Sequence, residues 1–93
     1  MDLPTNYDAL TQPQRSQARR QYAKEQGGKC AHCKCPLSED PSQEVTAYPL
    51  DEMSFPYRFF AYPIHLHHNH MSGMTIGAVH ARCNGVLQRL HGE

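Results

Sequence analysis

The chain has 93 residues, of which 39% are hydrophobic and none is tryptophan, and its formal net charge is +0. A chain of this length forms a single domain, 1–93, whose small core rarely stabilises a fold without a disulfide or a bound metal. No apolar run is long enough to span a bilayer, and the N-terminus lacks the basic and apolar regions of a signal peptide. We therefore expect a reducing, cytoplasmic location in which the four cysteines serve as metal ligands rather than forming disulfides.

The N-terminal part of the chain combines an irregular tail with a basic helix. Residues 1–10 contain few apolar anchors and are expected to be irregular. A helix is predicted over residues 11–26, because Thr11 is a suitable N-cap, Pro13 suits an early helical position and a Gly-Gly pair follows. The helix surface either contacts phosphates or simply faces solvent. Its basic side chains are Arg15, Arg19, Arg20 and Lys24.

The central segment, residues 36–63, is rich in proline and acidic residues and is predicted to be a loop or insertion. It is long for a domain of this size, which is typical of a functional loop or a family-specific insertion. Residues 36–57 contain acidic side chains and no basic one, so this part is expected to face solvent.

Residues 64–91 are predicted to form two antiparallel strands followed by a helix. The first strand contains the stretch "IHLHHNH", with four histidines. Because side chains alternate along a strand, His65 and His67 share one face, and Leu66 and His68 share the other. The four histidines therefore cannot all bind one ion without a bend. The stretch is a metal-chelating tract, a solvated loop or part of an active site.

The cysteines predict a structural zinc site. Cys30 and Cys33 form a C-x2-C pair, and "HARC" supplies a second pair with the same spacing, His80 and Cys83. Together they make a Cys3His set, which suits tetrahedral zinc and would tie distant parts of a small domain together. Cys35 is left over. It is either a small buried residue or a replacement for Cys33, although two-residue spacing is the commoner arrangement.

Several short stretches resemble the HNH endonucleases of the His-Me finger (ββα-metal) group, with the closest likeness to the endonuclease VII-like branch. The matching stretches are "CAHC", "HHNH", "MSG", "MTIGAVH" and "HARCN", and they occur in the family's order. The likeness covers residues 30–35 and 64–87, and leaves 1–29 and 36–63 uncovered. It implies a small α+β fold, a ββα-metal finger with an N-terminal helix, stapled by a structural zinc.

The resemblance also implies roles for individual residues. His68 falls at the position of the general base. His67 and Asn84 fall at the positions of the two ligands of a catalytic divalent ion. His70 matches a later histidine whose role is supporting. His65 precedes the matched motif and is expected to be incidental.

Two departures from the family pattern concern metal ligands. His80 replaces a zinc cysteine, which zinc chemistry permits. His67 replaces an aspartate, and imidazole suits Mn²⁺, Co²⁺ or Ni²⁺ better than Mg²⁺, which prefers oxygen ligands. The resemblance therefore implies a catalytic divalent ion for which Mn²⁺ is favoured over Mg²⁺.

The implied function is a metal-dependent DNA endonuclease that nicks one strand, acting as a monomer or weak dimer with no membrane contact. DNA would be held through its backbone with little sequence specificity, by Arg15, Arg19, Arg20, Lys24, Arg82 and Arg89. The main alternative is a non-catalytic zinc-binding module that docks nucleic acid or protein. A metal sensor, in which the histidines bind Ni²⁺ or Zn²⁺ reversibly, is a further alternative.

Overall fold

A computed structural model describes residues 1–91 and confirms the predicted small α+β class. Two strands pair antiparallel in a single sheet. The helices are α1 (Gln12–Glu25), α2 (Gln43–Ala47) and α3 (Ala81–His91), and the strands are β1 (Ile64–His68) and β2 (Thr75–His80). Short 3-10 turns cover Tyr7–Ala9, Glu52–Ser54 and Phe59–Ala61. Within the described part of the chain, no helix has the length and apolarity needed to cross a membrane.

Helix α1 begins where the sequence signals place it. The Thr11 side chain accepts a hydrogen bond from the backbone N–H of Gln14, and the Gln14 side chain accepts one from the N–H of Thr11. This reciprocal capping box satisfies backbone donors that the first helical turn leaves unpaired. The helix ends at Glu25, and Gly27 follows with φ +69°, a left-handed conformation that suits glycine.

The N-terminal residues have no regular structure apart from the turn Tyr7–Ala9 and an isolated bridge, but residues 5–7 are attached to the sheet by hydrogen bonds. Thr5 donates its N–H to the hydroxyl of Thr75 at 2.9 Å and accepts the Thr75 N–H at 2.8 Å. Tyr7 donates its N–H to the carbonyl of Gly73 at 2.8 Å. These bonds are made largely by backbone groups, which have no signature in the sequence. They fix the position of the Tyr7 ring.

Residues 36–63 carry their acidic side chains on the surface, as their composition indicated, but buried apolar residues also anchor the segment to the domain. Leu37 and Val45 belong to the buried core, together with Val79, Cys83 and Val86. Three phenylalanines further along the segment contact one another, with ring centroids between 4.8 and 5.2 Å apart: Phe55, Phe59 and Phe60. Just before β1, Phe59–Ala61 forms a 3-10 turn. The 36–63 segment forms one wall of the molecule beside α3.

The outer edge of β2 is closed by the side chain of Gln26, the residue that follows α1. Gln26 accepts the N–H of Ala78 through Oε1 and donates Nε2–H to the Ala78 carbonyl, both at 2.9 Å. It thereby satisfies the backbone of an edge strand as a third strand would. Gly77 makes this approach possible. A Cβ at that position would lie 2.9 Å from Gln26 Oε1 and 3.1 Å from the Cβ of Ala31.

Replacing Gly77 with alanine is therefore expected to lower the free energy of unfolding by about 1–3 kcal/mol, the usual cost of overpacking. Urea unfolding of the metal-loaded chain would measure it. The same substitution made in a Gln26→Ala background should cost less, because the nearest clashing atom is gone. Equal costs in the two backgrounds would contradict this account of Gly77.

Candidate metal centre and histidine cleft

The four residues of the predicted zinc site lie together. Their ligand atoms all lie within 4.8 Å of one another, and Nδ1 of His80 is 3.4 Å from Sγ of Cys33 and 3.6 Å from Sγ of Cys83. Tetrahedral zinc with bonds of 2.0–2.3 Å requires ligand atoms roughly 3.5–3.8 Å apart. The group, which also includes Cys30, could thus hold a metal ion and is consistent with a structural zinc. Cys35 is not a member.

The ring of His80 is oriented as a metal ligand requires. Its Nε2 lies 2.9 Å from both the Pro36 carbonyl and the Glu39 carbonyl. Because a carbonyl can only accept, Nε2 carries the hydrogen, and in the neutral ring Nδ1 keeps its lone pair directed at the thiols. The knuckle contributes as well, since the backbone N–H of His32 donates to Sγ of Cys30 at 3.3 Å. These contacts pre-form the ligand set.

The thiols of this group affect one another's protonation. The hydrogen bond from Cys83 lowers the pKa of Cys30 to about 3, and the same bond raises the pKa of Cys83 above its ordinary value. Burial acts to lower the pKa of His80, but the Pro36 carbonyl and the Cys30 thiolate outweigh it and raise that pKa. A metal ion bound here would displace these protons, because only thiolate sulfur and neutral imidazole are good ligands.

A separate cleft of about 550 Å³ lies beside β1, with α1 on one wall and α3 on the other. It brings together His65 and His68 from β1 and Asn84 from α3. The remaining lining residues are Tyr7, Gln12, Arg15, Ser16, Arg19, Phe59, Tyr62, Ile64, Leu66 and Gln88. A larger depression of about 730 Å³ lies beside residues 37–41, but its histidine, His80, belongs to the metal centre.

The predicted pairing of His67 with Asn84 is not what the structure shows. His67 is 3% exposed, lies opposite Gly77 in the sheet and does not line the cleft. Ile64, His65, Leu66 and His68 of β1 all line the cleft, so strand alternation alone does not decide which side chains reach it, and the register is irregular between His67 and His68. The imidazole within hydrogen-bond distance of Asn84 is that of His65.

His65 is not incidental, since both of its ring nitrogens have partners. Nε2 lies 2.8 Å from the carbonyl of Phe59, and Nδ1 lies 3.0 Å from the side-chain amide of Asn84. Burial lowers the pKa of His65, although the carbonyls of Phe59 and Tyr62 act in the opposite direction. The ring is consequently neutral near pH 7. The only sequence signal for this role was the number of histidines in the stretch.

His68 is held by stacking. Its ring lies parallel to that of Tyr7, with centroids 3.8 Å apart and planes inclined by 8°. The guanidinium of Arg15 covers the Tyr7 ring at 3.9 Å, and the exposed ring of His70 lies 4.8 Å from His68. Burial lowers the pKa of His68, and the charges of His70 and Arg15 lower it further, although a hydrogen bond with the Leu66 backbone and the charge of Asp8 act in the opposite direction. A neutral, oriented imidazole can accept a proton at neutral pH.

The six basic residues singled out for phosphate contact fall into different surroundings. Arg15 and Arg19 line the cleft, whereas Arg20 and Lys24 are exposed outside it. Arg82 donates to the carbonyls of Val45 and Tyr48 at 3.1 and 2.7 Å, and pairs with Glu52 at 3.5 Å. Arg89 lies over the Phe55 ring at 4.5 Å and bonds the Ser54 hydroxyl. The sequence-based prediction of Arg82 and Arg89 as phosphate ligands did not anticipate these contacts within the chain.

Comparisons with protein-family models, with curated proteins and with solved structures find no match for this chain. What the chain does must therefore be argued from its own residues and their geometry.

Cysteines 33 and 35 provide a matched pair of variants for the metal centre. Cys33→Ser is expected to lose most of the bound zinc and to unfold at much lower denaturant concentration, because structural zinc contributes directly to folding. Cys35→Ser and the parent are both expected to bind one zinc per chain, since Cys35 lies outside the ligand group. Metal analysis and urea unfolding provide the readouts. Equal zinc loss in both variants would contradict the assignment.

Proposed function

We propose that this protein is a metal-dependent endonuclease that nicks DNA, of the HNH or His-Me finger type that its motifs resemble. The observation that carries the proposal is the meeting of His68 and Asn84 in one cleft, with Arg15 and Arg19 on the wall. The order of hairpin, ligand pair and helix around a Cys3His group is the order expected of a ββα-metal finger with a structural zinc, and it supports the proposal. Neither a non-catalytic docking module nor a metal sensor requires a stacked histidine and an asparagine amide in one cleft.

The chemistry follows from the needs of phosphodiester hydrolysis. A water oxygen must bond to phosphorus while the bond to the leaving sugar oxygen breaks, and the water must lose a proton. His68 is the group we assign to accept that proton, because its ring is oriented by Tyr7 and its lowered pKa leaves it neutral. A divalent ion bound in the cleft would supply Lewis-acid stabilisation of the charge on the phosphate.

The substrate assignment depends on charge within the cleft. Arg15 and Arg19 are its charged lining residues, and no Asp or Glu lines it among the residues that the structure describes. Such a surface attracts a phosphate backbone without reading base sequence. The cleft contains a single candidate base, so one chain is expected to cut one strand at a time. Mn²⁺ is the favoured ion, because the side chains available are imidazole and amide rather than carboxylate.

Substituting His68 tests catalysis directly. The zinc-loaded His68→Ala variant is expected to nick supercoiled plasmid in Mn²⁺ at least about 100-fold more slowly than the parent, the usual contribution of a general base. Zinc content and circular dichroism should not change, because the ring is only half-buried and lies outside the metal group. His32→Ala, which removes an exposed histidine outside the cleft, is the control. A folded His68→Ala variant that nicks at the parental rate would favour the docking module.

The neighbouring arginines of α1 test the position of the DNA. Arg19→Gln should weaken binding to duplex DNA several-fold and reduce the salt dependence of binding by about one phosphate contact. Arg20→Gln should change affinity by less than about twofold, because Arg20 is exposed away from the cleft. Fluorescence anisotropy over a salt series measures both. Equal losses would indicate attraction by the whole helix surface rather than binding in the cleft.

A further inference from the structure

The cleft contains an imidazole, that of His65, in which one ring nitrogen carries the hydrogen and the other faces the Asn84 amide with a lone pair that could bind a metal. Nε2 of His65 lies 2.8 Å from the Phe59 carbonyl, which can only accept, so Nε2 carries the hydrogen. In the neutral ring, Nδ1 then has a lone pair. A metal-binding histidine usually donates its second ring N–H to a carbonyl or carboxylate in this way, which fixes the tautomer and the ring plane. His80 of the Cys3His group uses the same arrangement with the carbonyl of Pro36.

The distance from His65 to Asn84 fits two ligands of one ion. Nδ1 of His65 and the amide Nδ2 of Asn84 are 3.0 Å apart. In an octahedral site with bonds near 2.1 Å, adjacent ligand atoms lie about 3.0 Å apart. Rotation of the Asn84 amide by half a turn would place its oxygen where the nitrogen now lies, and the two orientations differ little in shape. The backbone need not move for both atoms to face one cation.

We propose that Nδ1 of His65 and the amide oxygen of Asn84 bind the divalent ion of this cleft, in place of the ligand pair of His67 and Asn84. This assignment deepens the proposed nuclease function, on which it rests for its purpose. It leaves His67 as a buried residue of the sheet and places the ion in the cleft that contains His68. The cleft volume of about 550 Å³ leaves room for water and phosphate oxygens at the remaining positions.

The composition of the cleft sets the kind of ion and the order of binding. One imidazole and one amide are neutral ligands, and Arg15 and Arg19 add positive charge nearby. Such a site binds a free cation weakly and prefers Mn²⁺, Co²⁺ or Ni²⁺ to Mg²⁺. A phosphate entering the cleft would supply the missing negative oxygen ligands. Metal affinity is therefore expected to rise when DNA is bound.

The test uses the zinc-loaded His68→Ala chain, so that DNA can be bound without being cut. Mn²⁺ binding is measured by electron paramagnetic resonance with and without a short duplex, and spin-echo spectroscopy detects a directly bound imidazole nitrogen. Adding His65→Ala to this chain should weaken Mn²⁺ binding at least about tenfold and remove the nitrogen signal. Adding His67→Ala should retain the signal. If the His65→Ala variant loses its zinc or its fold, the same measurement is made with His65→Gln, which keeps a polar side chain near Phe59.

The possible outcomes separate this inference from the proposed function. If His65 variants keep the nitrogen signal and His67→Ala loses it, the ligand assignment is wrong, while nicking by the parent would leave the nuclease proposal intact. If Mn²⁺ binding depends on His65 but the parent nicks no plasmid with any divalent ion, the metal site stands and the nuclease proposal fails. Absence of Mn²⁺ binding in the presence of duplex overturns the inference outright.

Discussion

The convergence of four metal ligands from two distant parts of the chain is the constraint on which the rest of the structure depends. Cys30 and Cys33 follow α1, whereas His80 ends β2 and Cys83 lies in the first turn of α3. Binding of one ion by this group would fix α3 relative to both the sheet and α1. Structural zinc in small domains contributes about 10–16 kcal/mol, more than a core of this size supplies. Asn84 directly follows Cys83, so its position in the cleft depends on the same centre.

The second constraint is the attachment of the chain's first residues to the sheet. The backbone of Thr5 pairs with Thr75, and Tyr7 is thereby placed between the guanidinium of Arg15 and the ring of His68. Parallel rings at this separation restrict rotation of the imidazole, and the guanidinium adds a cation–π contact to the other face of Tyr7. The segment that looked least structured from its composition thus orients the candidate base. The Cys3His group positions one side of the cleft, and the N-terminal segment positions the other.

The parts of this arrangement that could be predicted from the sequence are those with local signals. The ends of α1 are indicated by Thr11, Pro13 and the glycines that follow it. The Cys3His group is indicated by its ligand types and their two-residue spacing. The contact between His65 and Asn84 could not be predicted in this way. It joins residues 19 positions apart, and it depends on a carbonyl of Phe59 that any residue type would supply. The position of Arg82 is likewise set by backbone carbonyls of the 36–63 segment. Its charge alone suggested a phosphate contact, because backbone acceptors have no signature in the sequence.

The absence of a carboxylate among the cleft residues that the structure describes gives the proposed site its particular character. A ligand such as aspartate would neutralise part of the ion's charge and hold it before substrate arrives. Neutral ligands such as His65 and Asn84 leave the double charge available to the phosphate, where Coulomb attraction in a partly desolvated cleft is stronger than in water. The disadvantage is that the ion alone binds weakly, and the positive charge of the nearby arginines weakens its binding further. On this assignment, substrate and ion stabilise each other's binding, because each supplies the charge that the other lacks.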